Sequence, residues 1–237
     1  MAEPTQSASV VRLRDLTPHV RELVLAPEQP IVFQPGQWVS LKLPVGAKPP
    51  MNRAYSMAEP EAASGHLVLA LDRVPGGLGS SYLFALREGN QVTLSGPYGN
   101  FLLPNPLTKN LFLIARYTGI VPIHCILTRL FSQPTSRSVL LIVSAPSQAE
   151  LLYHDEFAAL ASSRPNFRYL TRVPEPGEPD TIESEVRRTI ELLKAQAGGR
   201  RDLVPMICGL KAFVRPLRAY FMELGFDRKE VRVETYD

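Results

Sequence analysis

The stretch Leu111-Phe112-Leu113-Ile114-Ala115 decides how the chain is organised, because it is a run of five apolar residues. Continuous runs of this kind are typical of a strand that is buried on both faces of a parallel sheet. Just before it, Leu103-Pro104-Asn105-Pro106 interrupts the preceding pattern with two prolines. We therefore place a domain boundary here, with a first domain at residues 1–104 and a second at residues 105–237.

Upstream of the boundary, short β-branched or alternating runs predict strands, because Gly, Pro and charged residues bound each run. Their spacing favours an antiparallel six-stranded Greek-key β-barrel. One helix is predicted over Ser80–Arg87, with Ser80 as its N-cap. The strand predictions cover Val10–Leu13, Val20–Leu25, Trp38–Leu43, His66–Ala70 and Gln91–Ser95.

Downstream of the boundary, apolar runs alternate with helical patterns. For example, Ile182, Val186, Ile190 and Leu193 recur at helical spacing. This alternation predicts a five-stranded parallel doubly wound α/β domain. The predicted strands are Leu111–Ala115, Val139–Val143, Phe167–Thr171, Val204–Cys208 and Val231–Thr235, and the predicted helices are Ile120–Leu130, Ala149–Ala161, Ile182–Leu193 and Ala212–Leu224.

The composition is that of a globular protein and argues against several classes of function. The 237 residues carry a net charge of only +3, and the scattered basic residues give no indication of nucleic-acid binding. The two cysteines, Cys125 and Cys208, are too few for an iron–sulfur cluster, and the four histidines lack metal-ligand spacing, so no metal is expected. The absence of a signal peptide and of a run of about 20 apolar residues predicts a cytoplasmic protein with no membrane span.

The segment Arg53-Ala54-Tyr55-Ser56 has the residue types that suit a flat, charged cofactor. Arginine offers a forked cation to a phosphate, tyrosine offers a ring face, and serine offers a hydroxyl at the ring edge. A second segment of this kind follows at Gly96-Pro97-Tyr98-Gly99-Asn100-Phe101. Together, in a β-rich domain that precedes an α/β domain, they predict a flavin site that receives electrons from a nucleotide site.

The nucleotide site is expected at the carboxyl ends of the parallel strands, where open sheets bind their ligands. Arg116-Tyr117-Thr118-Gly119 follows the first strand of the second domain, and Cys208-Gly209 follows the fourth. The helix after the first segment presents free backbone N–H groups to a phosphate, and glycine allows a ligand close to the backbone.

Six motifs in this order resemble those of the ferredoxin–NAD(P)H reductase-like flavoproteins, along nearly the whole chain. Six ordered matches are more specific than any single motif. The motifs are Arg53-x-Tyr55-Ser56, Gly76 to Ser80, Gly96 to Phe101, Thr118 to Pro122, Cys208-Gly209 and Glu234-x-Tyr236.

The resemblance implies an FAD-binding barrel followed by an NAD(P)-binding domain. Such an enzyme accepts hydride from NADH or NADPH on FAD and passes electrons to a separate acceptor, such as a ferredoxin or an oxygenase component. It further implies that Ser56 lies beside flavin N5, that Cys208 lies near the nicotinamide, and that Glu234–Asp237 approaches the flavin, which makes Ser56, Cys208 and Glu234 the catalytic candidates. The implied cofactor-binding residues are Arg53 and Ser80 on the pyrophosphate, Tyr55 on the isoalloxazine, and Ala54, Ser56, Gly79, Ser81, Gly96, Tyr98, Arg116, Thr118, Gly119, Cys208, Gly209 and Tyr236.

The chain departs from the family pattern at the exit of the first parallel strand. The family usually has Ala-Gly-Gly-Thr-Gly there, whereas this chain has Ala115-Arg116-Tyr117-Thr118-Gly119. Either the Tyr117 side chain blocks the pyrophosphate, or Arg116 binds phosphate and replaces the lost backbone contacts. The first possibility leads to an alternative function: a flavin-binding electron-transfer or regulatory subunit with a degraded nucleotide site.

The identity of the nucleotide and of the flavin also stays open at this point. Many family members carry an Arg two residues after the serine that follows the second strand, but this chain has Ser144-Ala145-Pro146. That absence favours NADH, whereas Arg172 after the third strand keeps NADPH open. FMN is the alternative to FAD. The sequence specifies neither the electron acceptor nor the oligomeric state.

Overall fold

The computed structural model describes residues 4–46, 50–60, 64–179, 181–197 and 200–236. They form two compact units. The first unit comprises Met1–Leu102 and Val121–Gln133, and the second comprises Leu103–Ile120 and Pro134–Asp237. The segment Val121–Gln133 therefore groups with the first unit, although it follows the boundary drawn from the sequence. Within the described ranges, no helix is long and apolar enough to cross a membrane.

The first unit is built on an antiparallel sheet of six strands. The strands are β1 (Gln6–Asp15), β2 (Val20–Pro27), β3 (Trp38–Leu43), β4 (Met51–Ser56), β5 (Leu67–Asp72) and β6 (Gln91–Tyr98). Their order in the sheet is β4-β3-β6-β1-β2-β5. Met57, directly after β4, bridges Leu69 of β5 and so joins the two outer strands of the sheet. The predicted antiparallel six-stranded fold is confirmed.

The core of the first unit follows from strict alternation in β3, where Val39, Leu41 and Leu43 are completely buried. Helix α2 (Ile120–Phe131) adds Cys125 to this core, and burial raises the pKa of that thiol to about 12. The loop before β3 requires glycine at Gly36, because its φ is +102° and a Cβ there would lie 1.9 Å from the Phe101 carbonyl oxygen.

Two local predictions in the first unit need correction. No strand was predicted at β4, because Asn52, Arg53 and Ala54 are exposed and give this segment no apolar alternation. Helix α1 spans Leu78–Ala85 with Gly77 as its N-cap, so the prediction of Ser80 as N-cap was wrong. The Ser80 hydroxyl instead lies within 3.1 Å of both the N–H and the carbonyl oxygen of Val74.

The second unit is built on a parallel sheet of five strands, which confirms the predicted α/β fold. The strands are β7 (Asn110–Arg116), β8 (Val139–Ser144), β9 (Phe167–Arg172), β10 (Leu203–Leu210) and β11 (Arg232–Tyr236), in the order β11-β10-β7-β8-β9. The remaining helices are α3 (His154–Ser163), α4 (Ile182–Ala197) and α5 (Lys211–Glu223). Alternate residues of β7, Phe112 and Ile114, pack in one core with Leu193 of α4 and Phe213 of α5.

Helix α3 begins five residues after the predicted start at Ala149. A short 3-10 turn occupies Gln148–Glu150, and Tyr153 has a left-handed φ of 56°. Because a side chain in the left-handed region cannot continue a right-handed helix, the helix starts only at His154. Apolar spacing alone gives no sign of this break.

Candidate functional site

The first candidate site lies in the first unit, where β4 meets the start of α1. The β3–β4 register pairs Leu41 with Arg53 and Val39 with Tyr55, so Arg53 and Tyr55 share one face of β4. A Cβ at Gly79 would lie only 3.7 Å from Cγ of Arg53. The structure therefore brings the predicted residues Arg53 and Gly79 together. The first turn of α1 is also closely packed, because the same Cβ would lie 3.1 Å from Cδ1 of Leu43 and 3.2 Å from Sδ of Met51.

The chemistry at this junction suits an anion. Arg53 is exposed, and its guanidinium has one hydrogen bond to the described residues, from Nη1 to the Asn52 carbonyl oxygen at 2.9 Å. The N-cap Gly77 supplies no side-chain bond to α1. The first N–H groups of a helix have no acceptor within the helix, and the helix dipole places partial positive charge there. A cation and free N–H donors therefore lie side by side, and they fit a pyrophosphate.

The two serines of this turn have different surroundings. The Ser80 hydroxyl is buried and engaged with the backbone of Val74 and Gly77, so it holds the turn that precedes α1. Ser81 is exposed, and its backbone N–H donates to the Gly77 carbonyl oxygen at 3.0 Å. Ser80 thus shapes the anion-binding turn through its side chain, and only its backbone N–H is left to face a ligand.

An aromatic cluster stands beside β4. Tyr55 is half-buried, and burial followed by the negative charge of Asp72 raises its pKa to about 12. The rings of Tyr98 and Trp38 lie 4.8 Å apart, tilted by 44°. Trp38 pairs with Ser56 across the β3–β4 ladder, and Ser56 is buried. Sequence reasoning did not place Trp38 in this cluster, because the barrel register that joins it to Tyr98 is a long-range property.

The loop from β6 is fitted closely against β3. A Cβ at Gly96 would lie 3.1 Å from Cγ1 of Val39, and one at Gly99 would lie 2.7 Å from Cδ1 of Trp38. These predicted glycines are therefore required by packing between the strands. Ala54, the remaining predicted residue of β4, is exposed.

The second candidate site lies in the second unit, at the carboxyl ends of β7 and β10. A Cβ at Gly119 would lie 2.4 Å from the Cys208 carbonyl oxygen and 3.0 Å from Cα of Gly209. Gly209 has a φ of +151°, and its Cβ would lie 2.9 Å from Cβ of Arg116. Two motifs that are about 90 residues apart in the sequence therefore meet, as strand-exit geometry predicts for a ligand site.

The cysteine of this site is enclosed by the protein. Cys208 is completely buried, and burial raises the pKa of its thiol far above the ordinary value, although a hydrogen bond with Tyr236 partly opposes the shift. Glu234 lies opposite Cys208 in the β10–β11 register, and burial raises its carboxyl pKa. Burial therefore favours the neutral form of each group more than water does. Asp237, the end of the predicted C-terminal stretch, lies outside the described residues.

Tyr117 stands where the family has glycine, and it keeps the backbone shape that glycine favours. Its φ is 49°, in the left-handed region that costs an ordinary residue of order 1–3 kcal/mol. Its hydroxyl donates to Oε2 of Glu150 at 3.0 Å, and Glu150 is buried. The side chain is therefore anchored to the 3-10 turn Gln148–Glu150. Nothing in the sequence pattern pairs Tyr117 with Glu150, because the bond depends on how two loops meet.

Arg116 is held by a carboxylate of the protein itself. Its Nε donates to Oε2 of Glu185 at 2.8 Å, and the Ser144 hydroxyl donates to the other oxygen of that carboxylate. The ends of β7 and β8 are thus tied to α4. Only the terminal nitrogens of Arg116 are left to bind a phosphate, because its Nε is bonded to Glu185. The predicted phosphate contact of Arg116 stays a prediction.

A pocket at the ends of β7, β8 and β9 holds three guanidinium groups. Its lining includes Arg116, Arg172 and Arg188. Arg172 and Arg188 both contact the same carboxylate, Glu178, with nitrogen–oxygen distances of 2.9 Å. Arg172 has a second carboxylate partner, since its Nη1 lies 3.4 Å from Oε1 of Glu175. Within the described ranges, no group of three or more His, Cys, Asp or Glu residues could hold a metal ion.

Known proteins resemble both halves of the chain. Residues 8–102 match the family described as oxidoreductase FAD-binding domain, and residues 113–218 match the oxidoreductase NAD-binding domain. Ferredoxin–NADP reductase B of Sorangium cellulosum is 34% identical over 247 residues, which cover 100% of this chain and 99% of that protein. The phenol hydroxylase P5 protein of Acinetobacter pittii is 30% identical over 174 residues, covering 73% of this chain and 48% of that protein.

Among solved structures, the Amycolatopsis cytochrome P450 reductase GcoB superposes with a TM-score of 0.81 at 27% identity, over 98% of this chain and 69% of that one. The chain therefore spans nearly the whole of the Sorangium reductase but about half the length of the phenol hydroxylase P5 protein.

The two folds and their sites define an oxidoreductase that uses a flavin and a pyridine nucleotide. The chain belongs to the ferredoxin–NADP reductase family of flavoproteins. It takes hydride from NAD(P)H on FAD and passes the electrons to a separate acceptor. The family, cofactors and reaction predicted from the six ordered motifs are thereby confirmed.

The hydrogen bond between Tyr117 and Glu150 can be tested through stability. Tyr117→Phe keeps the ring but removes one donor from a buried carboxylate, so we expect the free energy of unfolding to fall by about 1–2 kcal/mol in urea titrations. The control is Tyr220→Phe in the same unit, whose hydroxyl has no hydrogen bond to the described residues. Equal effects of the two substitutions would contradict an anchoring role for Tyr117.

Proposed function

We propose that this protein is the NADPH-oxidising reductase of an electron-transfer chain and that its acceptor is a small one-electron carrier protein. The observation that carries this proposal is the anion cradle in the first unit, where exposed Arg53 adjoins the free N–H groups of α1. Similarity to a ferredoxin–NADP reductase over the full length of both proteins supports a role in electron transfer. Two buried free cysteines, Cys125 and Cys208, support a reducing, cytoplasmic compartment.

Different residues of the first unit bind different parts of FAD. Arg53 and the first turn of α1 neutralise the pyrophosphate, and Tyr55 supplies a ring face for stacking. Ser56, at the buried end of β4, offers a hydroxyl beside Tyr55. When bound, FAD accepts two electrons as hydride and releases them singly, which no side chain of the protein can do. We assign residues 1–104 to this role and residues 105–237 to nucleotide binding.

The residues of the second unit position the nicotinamide and exclude water. The raised pKa of Cys208 keeps its thiol protonated at neutral pH, so it is a poor nucleophile. The raised pKa of Glu234 lets this carboxyl hold a proton to higher pH than an ordinary glutamate.

NADPH is favoured as the hydride donor by the pocket at the strand ends. Pro146 occupies the position where many family members carry an arginine, and this absence favoured NADH in the sequence analysis. The structure adds Arg188 of α4, which the sequence analysis did not predict and which lines the pocket together with Arg172. Arg172 and Arg188 both contact Glu178, and Arg172 also lies 3.4 Å from Glu175, so a 2′-phosphate that binds here gains two guanidinium partners in place of carboxylate contacts.

The reaction is tested by the visible spectrum of the purified protein. We expect flavin bands near ~380 and ~450 nm that bleach under anaerobic conditions on addition of NADPH, and more slowly with NADH. Mass spectrometry of the released cofactor distinguishes FAD from FMN. Bands that persist with both nucleotides would favour a second candidate, a flavin-binding subunit reduced by another protein. The ties of Arg116 to Glu185 and of Tyr117 to Glu150 are what favour that candidate.

The anion cradle is tested by Arg53→Ala. A hydrogen bond to a charged group contributes about 1.5–3 kcal/mol, so we expect the dissociation constant of FAD to rise about tenfold to hundredfold in fluorescence titrations of the apoprotein. Arg87→Ala removes another exposed arginine of the same unit and is expected to leave FAD affinity unchanged. An equal loss in both variants would show that general charge, and not the cradle, attracts the cofactor.

Nucleotide selectivity is tested by Arg172→Ala. We expect KM for NADPH to rise about tenfold, while KM for NADH changes less than about twofold, because only NADPH carries the phosphate that the guanidinium binds. The matched control is Arg168→Ala on the same strand, where the side chain is exposed and does not line the pocket. A parallel rise for both nucleotides would refute a specific role in 2′-phosphate binding.

A further inference from the structure

A groove in the second unit lies between helices α4 and α5. It has a volume of about 500 Å³, and it shares no lining residue with the pocket at the strand ends. Seven of its nine lining residues come from α4, and the other two come from α5. One side of α4 therefore forms most of the groove.

The floor of the groove is apolar. Ile182, Val186 and Ile190 recur along α4 and pack against the core of the second unit, but the two isoleucines are only half-buried. On the α5 side, Ala212 and Pro216 are exposed. The groove therefore leaves apolar surface in water directly beside the core, and covering that surface would be favourable.

The α5 wall of the groove also carries a backbone acceptor without its usual helical donor. Pro216 lies inside α5 and has no N–H, so it cannot donate to the carbonyl oxygen of Ala212 as an ordinary residue would. Both residues line the groove. This wall therefore offers a hydrogen-bond acceptor to a cationic side chain that enters the groove.

Four exposed charged residues of α4 line the groove, and their signs alternate along the helix. In chain order they are Glu183, Arg187, Glu191 and Lys194. Such spacings of three or four residues suit ion pairs within one helix, but none forms among the described residues. Glu183, Glu191 and Lys194 have no side-chain partner there, and Arg187 donates to Oγ of Ser184 at 3.3 Å. The charges are therefore available to a second molecule.

The order of these charges is complementary to itself. When two copies of α4 lie antiparallel, Glu183 of each copy faces Lys194 of the other, and Arg187 faces Glu191. The midpoints of these two pairs fall within half a residue of each other, which is less than about 1 Å along a helix. A single two-fold axis therefore aligns four ion pairs at once. A parallel arrangement in register would instead place each charge against its own kind.

We propose that the α4–α5 groove is the interface of a symmetric dimer and that its occupant is α4 of a second copy of this chain. The inference goes beyond the proposed function and does not depend on it. α4 contributes Glu185 and Arg188 to the pocket at the strand ends, and neither residue lines the groove. Because a helix of 16 residues gives a small interface, the dimer is expected to be reversible and dependent on concentration.

The test is sedimentation velocity of the full-length, FAD-loaded protein over a range of concentrations. We expect the share of dimer in the wild type to rise with concentration. The variant Glu183→Lys/Glu191→Lys makes all four groove charges positive, and Arg187→Glu/Lys194→Glu makes all four negative. The dissociation constant of each variant dimer should rise at least about tenfold at low salt, because like charges then face each other. The difference from the wild type should shrink near 1 M salt, where screening acts within about 3 Å.

A mixture of the two variants tests the pairing itself. One variant then supplies a positive groove and the other a negative one, so a heterodimer should form at least as tightly as the wild-type dimer at low salt. A mass tag on one variant identifies the mixed species. The rate of flavin bleaching by NADPH should be unchanged in both variants, which also shows that they are folded and loaded with FAD.

A matched control separates the groove from net charge. Arg164→Glu/Arg168→Glu makes the same change in net charge as Arg187→Glu/Lys194→Glu, but at exposed arginines of the same unit outside the groove. We expect it to change the dissociation constant of the dimer less than about threefold.

Several outcomes would overturn the proposal. A wild-type protein that stays monomeric at every concentration would leave the groove to a partner of another kind. A dimer that persists in both groove variants would place the interface elsewhere, and an equal loss in the control would show that only net charge matters. Two monomeric variants that do not associate when mixed would refute pairing across the two-fold axis. A dimer whose flavin is bleached by neither nucleotide would count against the proposed function and leave the interface standing.

Discussion

The structure of the second unit depends on one close backbone contact, between the turn after β7 and the exit of β10. A Cβ at Gly119 would lie 2.4 Å from the Cys208 carbonyl oxygen, so no other residue fits without moving one of the two strand ends. This contact joins two motifs that would otherwise be separate loops. Cys208 itself is completely buried, and burial raises the pKa of its thiol. The meeting of the two motifs at the nucleotide site therefore depends on a packing constraint.

Tyr117 replaces a glycine of the family pattern in the turn after β7, and it keeps the left-handed backbone at a cost in conformational free energy. A left-handed φ of 49° is unfavourable for tyrosine, and the hydrogen bond to Glu150 offsets part of that cost. Glycine makes the turn without any side chain, whereas tyrosine ties the turn to the loop after β8. Since Arg116 is tied to Glu185 on α4, both substituted positions act as links between β7 and its neighbours. Where the family has two flexible glycines, this protein therefore has two side chains that form hydrogen bonds to Glu185 and Glu150.

Much of the architecture was predictable because periodicity carries it. The buried runs of β7 and β8 and the helical spacing from Ile182 to Leu193 report burial directly, and the strands and helices follow. β4 was missed because Asn52, Arg53 and Ala54 are exposed, so this edge strand lacks the alternation of a core strand. The N-cap at Gly77 was missed because a serine three residues later is the stronger sequence signal. The partners Glu150, Glu185 and Arg188 could not be foreseen, since each comes from a distant loop or helix.

The distribution of charge in the second unit separates two kinds of arginine. Those at the strand ends are held by Glu178 and Glu185, so their positions are fixed before a ligand arrives. Fixed cations suit a small nucleotide whose phosphate must meet a defined geometry, because little side-chain entropy is lost on binding. Arg215 and Arg228 are exposed, and no ion pair with a described residue holds either of them. Within the second unit, the carboxylates beside an arginine therefore decide whether its guanidinium is held in place before a ligand arrives.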